Sequence, residues 1–309
     1  MKKLFSLIIL CLPLPLLAWN LQGHALVAQI AYENLAPEVQ HKVDMLANRV
    51  LDQLPPEERQ FLAGRQLSQV SPYARVAGLP DTWTTLTLQQ LFTEFHASLP
   101  PVLQPYARDD TTHWHFMDNL YGAKSPCPDP VDTQNVAWAI SLLQKAFVQS
   151  QDPNAQAVIL VLLTHFVGDI HQPLHVMAKA QGFCGNDGGG NGFCLKNKRG
   201  SCVLSLHKFW DSGLGYLTRR RNLTQAAADL QQQWPKASFK AVLQEVSPLA
   251  WVQQELKLAD FIYSTPQNHK PKAEYVHKAR DLAKQQLSLA GYRLAQRVSG
   301  LIAANSQNS

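Results

Sequence analysis

Long apolar runs are almost absent from this 309-residue chain. The single one, Leu4 to Ala18 ("LFSLIILCLPLPLLA"), is about 15 residues long and holds two prolines, short of the roughly 20 residues that cross a bilayer. With Lys2 and Lys3 ahead of it and a small residue at its end, it has the layout of a secretory signal peptide. Residues 1–18 are therefore expected to be removed on export to the periplasm or the medium, leaving 19–309 as the mature domain with Trp19 at its start and no membrane span. Leu16 is bulkier than the small residue usual three places before such a cut. Excess charge of one sign is equally scarce. The whole chain carries +5 and about +3 without the leader lysines, which lacks the clustered basic face of most polyanion binders. Cysteine is sparse and no C-x-x-C occurs, which weakens any reading of zinc held by thiolates. Cys11 leaves with the leader. Cys127, Cys184, Cys194 and Cys202 then read as two disulfides in an oxidising compartment, with three connectivities open.

Period-two alternation between turn signals is nearly absent as well, and neither a repeat nor a low-complexity linker divides the chain. A single compact all-α domain follows, with a hydrophobic fraction of 46% ample for its core. Apolar residues recur at three- and four-residue intervals over 24–36, 37–54, 131–150, 154–171, 238–246, 249–264 and 273–304. Residues 154–171 are apolar around nearly the whole circumference, which marks a central buried helix whose polar residues need an explanation. Two stretches read as non-helical. Residues 99–130 hold several prolines and "THWHFMD"; residues 181–202 are rich in Gly, Asn and Cys and form a long loop.

On the buried helix His165 and Asp169 stand four apart and share a face, and His207 and Asp211 repeat the spacing. One such pair is ordinarily a histidine hydrogen-bonded to an aspartate. Two pairs and His175, which Pro173 turns away from the helix, point to a borderline cation such as Zn²⁺, because residues 155–175 contain no Arg or Lys to neutralise a buried Asp169.

With "W-x-x-x-GH" from Trp19, "W-H-F-x-D" from Trp114, "THFVGDIHQPLHV" from Thr164, "D-x-GGN" from Asp187 and "LHKFWDS" from Leu206, the sequence resembles the S1/P1 nucleases, in a bacterial form. The fold implied is the all-α domain shared with the zinc phospholipases C. The resemblance implies a monomeric, secreted enzyme that cuts single-stranded DNA and RNA to 5′-phosphate products and also acts on 3′-nucleotides. It implies three zinc ions. Asp81, His115, His165 and Asp169 would hold one; the α-amine and carbonyl oxygen of Trp19, with His24 and a shared Asp169, its close partner; His175, His207 and Asp211 the third. Asp169 is then the catalytic bridge, water activated between cations serves as nucleophile, and no general-base side chain is required. Phe116 would stack on a base while Asp118, or Asp187 and Asn191, meet its edge. The family's phosphate-binding arginine is missing: Thr84 stands in its place and Pro80 precedes Asp81, so either Arg75 or a loop lysine such as Lys196 takes over the contact or phosphate is bound more weakly. His41, His96, His269 and His277 read as surface residues, and His113 and His171 as supports for the site. A zinc phospholipase C would place glutamate where Asp211 stands. A secreted zinc-binding protein without catalysis would be the outcome of a site decayed at Thr84.

Overall fold

The computed structural model describes residues 19–64, 67–123, 132–182, 185–196, 201–218 and 222–307. The leader, Cys127 and Cys184 lie outside them. Thirteen α-helices form one domain among the described residues: α1 (Leu21–Glu33), α2 (Pro37–Gln53), α3 (Pro56–Gly64), α4 (Pro72–Val76), α5 (Pro80–Trp83), α6 (Leu88–Glu94), α7 (Val136–Gln149), α8 (Pro153–Asp169), α9 (Leu206–Asp211), α10 (Leu223–Gln233), α11 (Pro248–Leu256), α12 (Ala259–Ile262) and α13 (Ala273–Gln307). No described helix is long and apolar enough to cross a membrane.

The centre of the domain is α8, buried at every position from Ala155 to Asp169. Asp152 accepts from the Asn154 backbone and Pro153 occupies the first helical position, where its missing N–H costs nothing. Against α8 pack α2, α7 and the 35-residue α13, while α1 is clasped by α4, α10 and α13. Such an all-round apolar helix is stable only when neighbours cover every face, and that cover removes water from its polar end.

The expected helices appear with shifted boundaries. The segment 131–150 becomes helical only at Val136, where the Asn135 side chain accepts from the amides of Ala137 and Trp138. Residues 238–246 form two 3₁₀ turns, Lys236–Phe239 and Val242–Gln244, in place of a helix. Pro235 and Pro248 bracket a segment too short to repay helix nucleation, and Phe239 and Leu243 anchor it instead. Residues 249–264 break between α11 and α12.

β1 (Asn119–Tyr121) runs parallel to β2 (Met177–Gln181), pairing Asn119 with Met177 and Tyr121 with Lys179; β3 (Gly185–Asn186) adds antiparallel to β2. β4 (Cys194–Lys196) and β5 (Cys202–Ser205) form a hairpin closed by a Cys194–Cys202 disulfide. Of the strands, β1 falls in the first non-helical stretch and β3 and β4 in the second, while β2 and β5 flank the second.

Candidate metal centre

Three elements deliver the first ligands. Asn20 caps α1 by accepting from the Gly23 amide at 3.1 Å, and its own N–H donates to the Asp211 carbonyl at 3.1 Å. This seats the fully buried Trp19 at the start of α1 and turns His24 toward α8. Gly168 permits the approach: a Cβ there would lie 2.7 Å from His24 Nδ1. The His24 and His165 rings stack at 3.8 Å. On α5, Pro80 takes the first helical position and Asp81 the first turn, so the departure Pro80 represents does not displace the aspartate. A 3₁₀ turn over Thr112–His115 delivers His115.

These side chains converge on Asp169. His24 Nε2 lies 3.4 Å from Asp169 Oδ1, His115 Nδ1 3.0 Å and His165 Nε2 3.3 Å from Asp169 Oδ2. Asp81 Oδ1 lies 3.4 Å from His165 Nε2 and 4.0 Å from His115 Nδ1. A short way along the chain, Pro173 ends the continuation of α8 and His175 turns back, where it meets His207 and Asp211 of α9. His207 Nε2 is 3.6 Å from Asp211 Oδ1. Three groups of buried ligand atoms close enough to hold an ion result: His24, His165 and Asp169; Asp81, His115 and His165; His175, His207 and Asp211.

Several imidazoles are aimed by backbone carbonyls. Nδ1 of His165 faces the Ala77 carbonyl at 2.9 Å, Nδ1 of His175 the His115 carbonyl at 2.8 Å, and Nδ1 of His207 the Gly189 carbonyl at 2.7 Å. A donating Nδ1–H fixes the tautomer that leaves Nε2 as the ligand. Gly189 reaches His207 only because it adopts φ +60, and a Cβ there would run into the Leu174 carbonyl.

The inner atoms lack hydrogen-bond partners among the described residues: both nitrogens of His24, Oδ1 of Asp81 and Asp169, and Nε2 of His115, His175 and His207. Buried polar atoms are rarely left so. Burial also lowers His24 and His175 well below the usual histidine range, His115 to about 3 and His207 to about 4. It raises Asp169 to about 7 and Asp211 well above the carboxylate range. For His165 burial acts downward but the charges of Asp169 and Asp81 outweigh it, lifting the group to about 9. Four imidazoles kept neutral, and carboxylates that draw a proton onto His165 for want of other positive charge, form the donor set of a bound dication, which supplies what water no longer does. The residues present fit a metal.

Around the centre the structure sorts the remaining expectations. Phe116, directly after His115, is partly exposed with its ring 5.6 Å from that of His113. Asp118 is half-buried, and burial together with Asp187 raises its carboxyl. Asp187 spends Oδ1 on the amides of Lys179 and Gly190 and the hydroxyl of Tyr263, keeping a buried Oδ2 without a donor; Asn191 donates to the Gly188 carbonyl. Both therefore shape the glycine loop that aims His207. The Arg75 guanidinium donates to the carbonyls of Leu67 and Ser68. Lys196 lies on β4, its amide bonded to His269. His113 is exposed beside Asp132, 3.6 Å away, whereas His171 is fully buried against Arg293. His41, His96, His269 and His277 are exposed.

Sequence reasoning missed Gln172. Its amide donates to Asp211 Oδ1 at 2.7 Å while its carbonyl oxygen accepts from Leu174, tying the end of the α8 segment to the third group. A polar residue with no acidic or imidazole ligand atom gave no signal beyond its place in "HQPLH".

The model of the S1/P1 Nuclease family matches residues 19–303. Endonuclease 2 of Arabidopsis thaliana is 24% identical over 293 residues, covering 90% of this chain and 88% of that protein.

Proposed function

The chain belongs to the S1/P1 nuclease family, and on that premise we propose that it is a secreted endonuclease, acting as a monomer with three zinc ions. Its substrates would be single-stranded DNA and RNA, cut to 5′-phosphate products, and 3′-nucleotides. The family is zinc-dependent. The observation that carries the reading is the set of partnerless, buried ligand atoms arranged in three groups.

Asp81, His115, His165 and Asp169 would hold one ion, His175, His207 and Asp211 another. The third would sit on His24, Asp169 and the α-amine and carbonyl of Trp19, once residues 1–18 are removed. Zinc bound there supplies a Lewis acid that activates water at neutral pH and offsets charge on phosphate. The chain does the rest. Carbonyls of Ala77, His115 and Gly189 hold imidazole tautomers, so no ligand must reorient during reaction. Gln172 occupies one oxygen of Asp211. The apolar cover of α8 keeps bulk water from the centre and lets its charges act at low dielectric. Phe116 offers a ring for one base, and a base already paired hides its face, which favours single strands. Asp118 stands two residues on to accept from the base edge.

The test is the purified protein beginning at Trp19, assayed on a single strand, on its duplex and on phosphatidylcholine, with and without chelator. Chelator-sensitive cleavage of the single strand, with more than two zinc ions per chain by elemental analysis, is expected. Cleavage of phosphatidylcholine alone would assign a phospholipase, and zinc uptake without hydrolysis a binding protein.

A further inference from the structure

The group of His175, His207 and Asp211 asks two different things of its surroundings. Its imidazoles are aimed by giving a proton away, to the carbonyls of His115 and Gly189 at 2.8 and 2.7 Å. Asp211 as a carboxylate has no proton to give, so only a donor holds it. Its own helix helps little, because α9 has six residues and Asp211 is the last of them, where a helix frays. The donor is Gln172, whose Nε2 lies 2.7 Å from Asp211 Oδ1. Gln172 is fully buried, and its Oε1 accepts from the Leu174 amide at 2.8 Å. That second bond settles which end of the side-chain amide is which: turned over, it would set oxygen against carboxylate and N–H against N–H. The backbone of Gln172 is fastened between ligands as well. Its N–H donates to the Asp169 carbonyl at 2.8 Å, and its carbonyl accepts from the His175 amide at 2.8 Å.

We propose that Gln172 is a positioning residue, whose side-chain amide fixes the Asp211 carboxylate in the orientation that receives the ion of this third group. The inference rests on the zinc reading above and deepens it, by naming what the third ion requires beyond its ligands. A neutral donor is what the place demands. Lysine or arginine would hold the carboxylate equally well, but would neutralise it and stand as a like charge beside a dication. An amide orders the oxygen and leaves its charge to the ion. Capping the 3₁₀ turn Pro173–His175 does not account for the residue, since that task uses Oε1 alone and suits the shorter Asn, Asp or Ser. The additional length is what carries Nε2 across to α9. Held at both ends before an ion arrives, Asp211 loses little freedom on binding one.

The protein beginning at Trp19 is stripped of metal and titrated with zinc against a chromophoric chelator, which counts the ions and ranks their affinities. The wild type should take three. Gln172→Met, which keeps the length and removes both amide functions, should weaken one of the three by about 10–100-fold and leave the other two in place. Gln172→Asn still caps the turn but draws the amide back by one methylene, and should weaken the same ion. His207→Ala removes that ion directly. Adding Gln172→Met to it should then change the two remaining affinities by less than about twofold, because a residue that acts only through the third ion has nothing further to lose. The Asn variant reads the same cycle should the Met variant fail to fold. Wild-type affinities for all three ions in the Gln172 variants, or further weakening of the remaining two ions in the double variant, overturn the positioning role. A wild type that takes up fewer than three ions overturns the three-zinc reading itself.

Discussion

Nη1 of Arg293, near the middle of α13, donates to Nε2 of His171, two residues past Asp169, at 2.8 Å, and both side chains are buried. His171 must then carry its proton on Nδ1, which donates to the Val167 carbonyl at 2.7 Å. Burial and the neighbouring guanidinium keep the ring neutral by lowering it well below the usual range. The same guanidinium donates to the Val242 carbonyl and to Gln254, and faces the buried Glu255. The end of α8, with its ligand, is therefore clamped by the C-terminal helix.

Arg293→Met should lower unfolding free energy by about 3–5 kcal/mol, because it strands His171, Gln254 and Glu255 in the interior. Urea unfolding at neutral pH reads this directly. A loss under about 1 kcal/mol would mean that the clamp contributes nothing.

Asp169→Asn should be more damaging than Asp81→Asn. Asp169 approaches His24, His115 and His165, while Asp81 approaches His165 closely and His115 only at 4.0 Å. Zinc content should fall by more than one ion per chain in the first variant and by about one in the second, since affinity follows ligand number and charge. Identical zinc content in both would refute a shared carboxylate.

The metal-free protein should lose stability between about pH 7 and 9. Asp169 and His165 both titrate higher in the folded state than unfolded, at about 7 and about 9, so the contribution of Asp169 is already lost as pH rises from about 4 to 7 and the loss between 7 and 9 comes from His165. A group whose folded pKa is raised contributes fully below its unfolded value and loses that contribution as pH passes the folded one. Bound cations replace those protons, so the rise in Tm on adding zinc should be larger at pH 9 than at pH 7. Thermal melts of chelator-treated protein at the two pH values decide it; a Tm that is flat or rising without metal contradicts the sign.

One alanine added ahead of Trp19 should remove zinc from the His24 group first. The extra residue turns an α-amine into an amide, whose delocalised lone pair does not coordinate. Mass spectrometry verifies the two termini, and zinc content and single-strand cleavage are compared. Full zinc and full activity in the extended form would leave Trp19 as an apolar plug under α1.

Much of the fold was written in periodicity. Where apolar residues recur over three or more turns, as in α1, α2, α7, α8 and α13, helix position follows from the need to bury one face, or every face for α8. Short helices such as α4, α5 and α9 carry too few turns for a pattern to show, and the 3₁₀ turns near Phe239 and Leu243 imitate one. The paired strands at Asn119–Tyr121 and Met177–Gln181 left no alternation to read, because three to five residues bordering a metal centre have no clean inner and outer face.

For the site, the sequence determined which residues have the atoms to hold a metal, since identity and i, i+4 spacing are local properties. Only the tertiary structure decided what aims them. His115 meets His165 across 50 positions, Gln172 meets Asp211 across 39, and Arg293 meets His171 across 122. It also decided that Arg75 turns to backbone carbonyls, and that Asp187 bonds to the glycine loop. Hydrogen bonds fall off within a few tenths of an ångström, and no pattern along the chain encodes distances between residues that only packing brings together.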